Sequence, residues 1–146
     1  MRRRTVLVGF GVTGASAARQ LLRTGTAADD VMVVDDRPEA VADAQELGLP
    51  AVLGDGTERA VLDRATGGRA GHVIVTAGPD AVAVMATMLA RDLCPDVVVV
   101  TAIRDAEYVR YALRVGANDV IATSQWTGRA LALVLDLAQP SRPLNR

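Results

Sequence analysis

Residues 6–14 read Val-Leu-Val-Gly-Phe-Gly-Val-Thr-Gly, a Gly-x-Gly-x-x-Gly pattern that joins a short β-branched run to a helical one. In that placement Gly9 allows a tight turn, Gly11 lets backbone approach a phosphate with no Cβ in the way, and Gly14 lets the helix pack close to the strand. Free N–H groups at the helix start and the positive end of its dipole then favour an anion. Phe10, Val12 and Thr13 complete the turn. A turn that binds nothing shares this pattern, and the next acidic residue separates the two. Asp35 closes the second β-like run, about 20 residues on, where a carboxylate accepts hydrogen bonds from both hydroxyls of an adenosine ribose.

A carboxylate at that position repels a 2′-phosphate, so NAD or NADH, AMP, ADP and ATP are expected ahead of NADP(H). Asp36 and Arg37 follow directly. Arg37 is open to two readings: a partner for a 2′-phosphate, or a surface charge near the start of the next helix.

Downstream, β-branched runs alternate with longer helical patterns, the sign of βαβ units feeding a parallel sheet. Strands are expected at Arg4–Val8, Val31–Asp35, Ala51–Leu53, His72–Thr76, Val97–Ala102 and Asp119–Ile121. Helices are expected at Thr13–Arg23, Pro38–Leu47, Glu58–Ala65, Pro79–Leu93, Ala106–Val115 and Gln125–Leu137. The fold class is α/β, a Rossmann-like, doubly wound, six-stranded parallel sheet with helices on both faces. Nearly continuous apolar strands imply burial on both sides. Pro38 and Pro79 suit first helical turns, Thr57 and Asp105 suit caps, and Gly25, Gly48 and Gly116 suit helix ends. One domain over residues 1–138 is expected, followed by a tail or linker at 139–146 that contains Pro140 and Pro143.

The formal net charge of −1 gives no general electrostatic reason to bind nucleic acid or an anionic membrane. Aromatic residues are only 3% of the chain, so no ring platform for single-stranded bases is expected. A single cysteine and a single histidine exclude an intrachain disulfide and an ordinary zinc site; no metal site and no catalytic residue are assigned. No apolar run approaches the roughly 20 residues of a membrane-spanning helix. Arg2, Arg3 and Arg4 lead straight into the first strand instead of an apolar signal segment, so a cytoplasmic location is expected.

Gly54-Asp55-Gly56-Thr57, then Val61-Leu62 and Ala65, then the strand His72–Thr76 and the long helix after it, closely resemble the RCK family. These regulators of K⁺ conductance are also called TrkA-N domains. The resemblance continues through Arg104-Asp105-Ala106-Glu107-Tyr108, Gly116-Ala117-Asn118-Asp119-Val120-Ile121 and Gly128-Arg129-Ala130-Leu131-Ala132, and so spans Arg4 to Leu137. It implies a cytoplasmic regulatory domain, not an enzyme, that forms a homodimer or larger ring through its later helices. Such a domain binds a nucleotide and passes a conformational change to a pore-forming K⁺ channel or transporter subunit. By the same resemblance Gly54, Asp55 and Gly56 lie near the adenine, and Thr76, Ala77 and Gly78 approach the ligand from the fourth strand.

The chain departs from the family at two cationic positions. Val12 stands where ATP-binding members often have a basic residue, and Ala102 where many have an arginine in the fifth strand. With fewer cations to offset a triphosphate, NAD(H) or a mono- or diphosphate is favoured over ATP. The resemblance ends with the last helix, so the smaller C-terminal lobe of many relatives is not expected within these 146 residues.

Other residues admit plain readings. His72 is expected to be a packed or edge residue, and Cys94 a small apolar filler. The helix 79–93 is apolar over more of its circumference than one sheet face needs, so core packing and a subunit interface both remain open. For the last helix, with Trp126, Leu131, Leu133, Val134, Leu135 and Leu137, a partner chain is expected, because no later strand covers it. Two competing functions stay in view: the cofactor domain of an NAD-dependent oxidoreductase lacking its substrate domain, and a free-standing nucleotide sensor.

Overall fold

The protein is described from a computed structural model covering residues 3–139. Arg2 and positions 140–146, nearly all of the expected tail, lie outside the described residues. The strands are β1 (Arg4–Val8), β2 (Val31–Asp35), β3 (Ala51–Leu53), β4 (Ala70–Val75), β5 (Val98–Ile103) and β6 (Asp119–Ala122). The α-helices are α1 (Val12–Arg23), α2 (Pro38–Glu46), α3 (Arg59–Thr66), α4 (Asp80–Leu93), α5 (Val109–Arg114) and α6 (Thr123–Ala138). All strand pairs are parallel, in the order β3-β2-β1-β4-β5-β6. This is the doubly wound Rossmann-like sheet expected from the alternation of patterns.

Right-handed crossovers distribute the helices. The chain moves outward from β1 to β3, then returns past β1 to build β4, β5 and β6, so α1 and α2 lie on one face and α3, α4 and α5 on the other. Leu7, Val31 and Val33 are buried with Ala18, Ala40 and Ala44 on the first face. Val6, Val8, Val73, Val75 and Val99 are buried with Leu62, Ala83, Ala86 and Ala90 on the second. A fully buried valine or leucine contributes about 1.5–3 kcal/mol.

The expectation of burial on both faces holds at the centre of β1 and β2 but not across β4–β6. His72 and Val98 are exposed, and Ile74, Val100, Ala102 and Ile121 are only half-buried. The reason is topological, since α1 and α2 serve the β1–β3 half of that face. α6 buries none of its own residues.

Local end signals mostly act as expected. Pro38 occupies the first turn of α2, Asp105 accepts a hydrogen bond from Glu107 N–H, and Gly25, Gly48 and Gly116 all have positive φ. Thr57 does not cap α3, because Glu58 holds that position and the Thr57 hydroxyl donates to Asp55 instead. Pro79 lies one residue before α4 and not inside it. The expected helix 106–115 divides into a 3₁₀ turn, Ala106–Tyr108, and the shorter α5. His72 stands exposed near the start of β4, while Cys94 packs half-buried against the core.

Candidate functional site

At the carboxyl ends of the strands the chain reverses direction between β1 and β4, leaving a crevice where such sheets bind ligands. A cleft of about 560 Å³ occupies that place. Its lining brings together Gly9, Gly11, Val12, Thr13, Gly14, Asp35, Asp36, Arg37, Gly54, Asp55, Gly56, Thr76, Ala77 and Gly78. Phe10 is the exception among the residues singled out in sequence. Its side chain is buried in the α1/α2 core, and it serves the site only through its N–H.

The glycine turn is built by close contacts. Gly9 has φ +99°, and a Cβ there would lie 2.9 Å from Ala77 N and from Thr76 Oγ1. A Cβ on Gly14 would fall 2.0 Å from the Gly9 carbonyl oxygen, so α1 meets the turn at a distance that only glycine allows. The Thr76 hydroxyl donates to Gly9 O at 2.9 Å, fixing the turn to β4. Gly11 differs, because only Arg37 Nη2, at 3.9 Å, comes near its Cβ position. It is also the N-cap of α1 and offers no side-chain acceptor to the first-turn N–H groups. An accessible backbone at the positive end of a helix suits a phosphate. Val12, 92% exposed, stands at the mouth.

Asp35 is 93% buried, its residual exposure being 7%. Its Oδ2 accepts from Phe10 N–H at 2.8 Å and Arg37 Nη2 at 3.3 Å; its Oδ1 accepts from Arg37 N–H at 2.9 Å and Arg37 Nε at 3.1 Å. Burial pushes this carboxyl up, but the guanidinium bond, the two backbone N–H bonds and the Arg37 charge together outweigh it and hold the group below its ordinary value. Asp55 is also held low, by the backbone and hydroxyl bonds of Thr57 at 2.8 and 2.7 Å. Both carboxylates are therefore ionised at neutral pH.

Arg104, Pro79, Val82 and Ala86 extend the cleft toward β5, and none of them was singled out as a site residue in the sequence. Arg104 follows directly on the carboxyl end of β5, the edge where ligands of open α/β sheets bind, and that rule was the available signal. Asp80, opening α4, accepts from Arg104 N–H at 2.9 Å and Asp105 N–H at 2.8 Å, which ties this loop to the helix. The charged lining residues thus comprise three carboxylates on the β2–β3 side, one arginine beside them, and Arg104 at the far end.

Comparison with known proteins agrees with this fold. The family model of the TrkA-N domain matches residues 5–123. Among curated proteins none matches the chain in sequence. The TrkA-N domain of the inner membrane protein ybaL from Escherichia coli superposes with a TM-score of 0.82 at 24% identity, over 95% of this chain and 98% of that one. The NAD(P)-binding domain of an exopolyphosphatase-related protein from Archaeoglobus fulgidus gives 0.79 at 19% identity, over 93% and 99%. The GsuK channel bound to NAD gives 0.77 at 20% identity; 90% of this chain is covered but only 23% of the channel.

Proposed function

The chain belongs to the TrkA-N domain family, and from that premise we propose that it is a regulatory module that binds an adenine dinucleotide, NAD or NADH, and changes conformation in response. The observation that carries the reading is a cleft continuous across the β1–β4 switch point, with a buried, ionised carboxylate at the ribose end and an open glycine backbone at its middle. Asp35 would hold the adenosine ribose, the α1 N-terminus the pyrophosphate, and the Thr76–Gly78 segment the second nucleotide. At that second end the charged lining residue is Arg104, and the cleft's carboxylates lie on the opposite side. This arrangement favours holding a dinucleotide over abstracting a proton beside a nicotinamide.

Two related folds support the choice of ligand class, since GsuK was solved both as a channel bound to NAD and bound to ADP, and the Kef CTD of Shewanella denitrificans in an AMP-bound form. The partner would be a pore-forming K⁺ channel or transporter subunit at the inner face of a membrane. No helix among the described residues is long and apolar enough to cross a membrane, so that attachment would rest on other segments or chains. Regulation of this kind requires the ligand to bind two conformations unequally.

The test is a titration with NAD⁺, NADH, NADPH, AMP, ADP and ATP, followed by thermal midpoint and binding heat. A ligand at 100 times its Kd adds about 2.7 kcal/mol, a rise of roughly 5–10 °C at this size. NAD⁺ or NADH is expected to give the largest shift and Asp35→Ala to weaken binding at least about tenfold. If none of the six nucleotides binds, the proposal fails.

A further inference from the structure

The four hydrogen bonds into the Asp35 carboxylate use all of its well-placed lone pairs. Two come from backbone N–H groups that are fixed by the fold. The other two come from one guanidinium, whose Nε and Nη2 present paired donors as the two hydroxyls of a ribose would. The Arg37 side chain is half exposed while that of Asp35 is 6% exposed, so the guanidinium covers the carboxylate from the solvent side. Its Nη2 is also the heavy atom nearest to the Gly11 Cβ position, at 3.9 Å. Arg37 therefore lies between the ribose-binding carboxylate and the phosphate turn.

We propose that Arg37 is a specificity residue that competes with the ribose for Asp35 and, once displaced, pairs with the 5′-phosphate at the glycine turn, so that the site selects nucleotides against nucleosides. This rests on the reading of the cleft as a nucleotide site. A nucleoside must break the Arg37–Asp35 pair and leaves the guanidinium with no new anion. A nucleotide breaks the same pair but brings a phosphate within a short swing of the side chain, and arginine suits that exchange because its planar fork fits carboxylate and phosphate alike. The displaced Arg37 guanidinium also gives the turn a cation that Val12 does not provide.

Binding of adenosine, AMP, ADP, NAD⁺ and 2′-AMP is measured calorimetrically for the wild type, Arg37→Met and Arg37→Lys. Arg37→Met removes competition and phosphate charge together, so adenosine should tighten about threefold to tenfold while ADP and NAD⁺ weaken or stay level. The nucleotide-to-nucleoside preference then falls by about threefold or more. Arg37→Lys loses the paired donors but keeps a charge, so it should tighten adenosine and retain most of the ADP affinity. Because the side chain is half exposed, both variants should fold, and their unfolding midpoints check that.

If adenosine weakens in Arg37→Met, Arg37 contacts the nucleoside directly and the competition is wrong. If only 2′-AMP loses affinity, the cation serves a 2′-phosphate and the assignment to the 5′-phosphate is overturned. Absence of binding by every ligand to all three proteins, in contrast, overturns the parent reading of the cleft.

Discussion

Asp35 is deeply buried, yet its carboxyl is held below the ordinary value of 3.8. Because the folded-state value is the lower one, the unfolded chain binds more protons between the two, and stability falls as pH drops through that interval. The contribution is complete above about pH 4–5 and vanishes only below the depressed value. Urea unfolding of the wild type from pH 7 to pH 3 should therefore show an acid limb that is shallower in Asp35→Asn, with the two curves parallel above pH 5. An unchanged acid limb in the variant would place the wild-type sensitivity elsewhere, Asp55 being the next candidate. The sequence identified this carboxylate by its position at the end of a strand. It left Arg37 between two readings, because whether a side chain folds back on a residue two positions earlier depends on a rotamer and not on residue type.

Among the elements, α4 shows how a helix made largely of small residues can still be firmly held. Its inner face presents Ala83, Ala86, Thr87 and Ala90, and the Thr87 and Thr101 hydroxyls share a 2.7 Å hydrogen bond that joins the helix to β5. Arg91 does more. Its guanidinium donates to the carbonyls of Pro95, Val97 and Gly116 and to Asn118 Oδ1, while Asn118 Oδ1 also accepts from Val99 N–H at 2.8 Å. One side chain thus ties the end of α4, the start of β5 and the turn into β6. Arg91→Ala removes a charged donor to several carbonyls and should cost about 2 kcal/mol in urea unfolding at neutral pH. A loss below about 0.5 kcal/mol would show that solvent replaces these bonds freely.

Element order was legible because each pattern has its own period and its own punctuation: Pro38 opens α2, and Gly25, Gly48 and Gly116 close helices at positive φ. Local chemistry misled where a side chain had two partners in reach. Thr57 has the composition of a cap, but Asp55, two residues back, captures its hydroxyl. The onset of β4 at Ala70 was hidden by Gly71, where the register with β1 shifts between Arg4 and Thr5. In the cleft, the residues joined by a contiguous motif were visible, whereas Arg104 enters only through the sheet order, which one linear pattern does not display.

At the scale of the whole molecule, two apolar surfaces are left over. One is the half-face of β4–β6 that carries Val98, Val100, Ala102 and Ile121, beyond the β1–β3 half that α1 and α2 serve. The other is α6, where Leu131, Leu133, Val134, Leu135 and Leu137 are 59–77% exposed. Contiguous exposed apolar area of this kind marks an interaction site. A second copy offers the same two surfaces, so an isologous homodimer that covers them satisfies both chains at once. Sedimentation across a wide concentration series should show reversible dimerisation or a larger closed assembly. Leu131→Asp with Leu135→Asp, four residues apart on the helix and both exposed, should shift the protein toward monomer while leaving its unfolding midpoint at low concentration and its nucleotide affinity little changed. Because neither residue contributes to the monomer core, a double variant that unfolds instead would show that α6 packs within its own chain. A wild type of constant monomer mass at every concentration would overturn the homodimer.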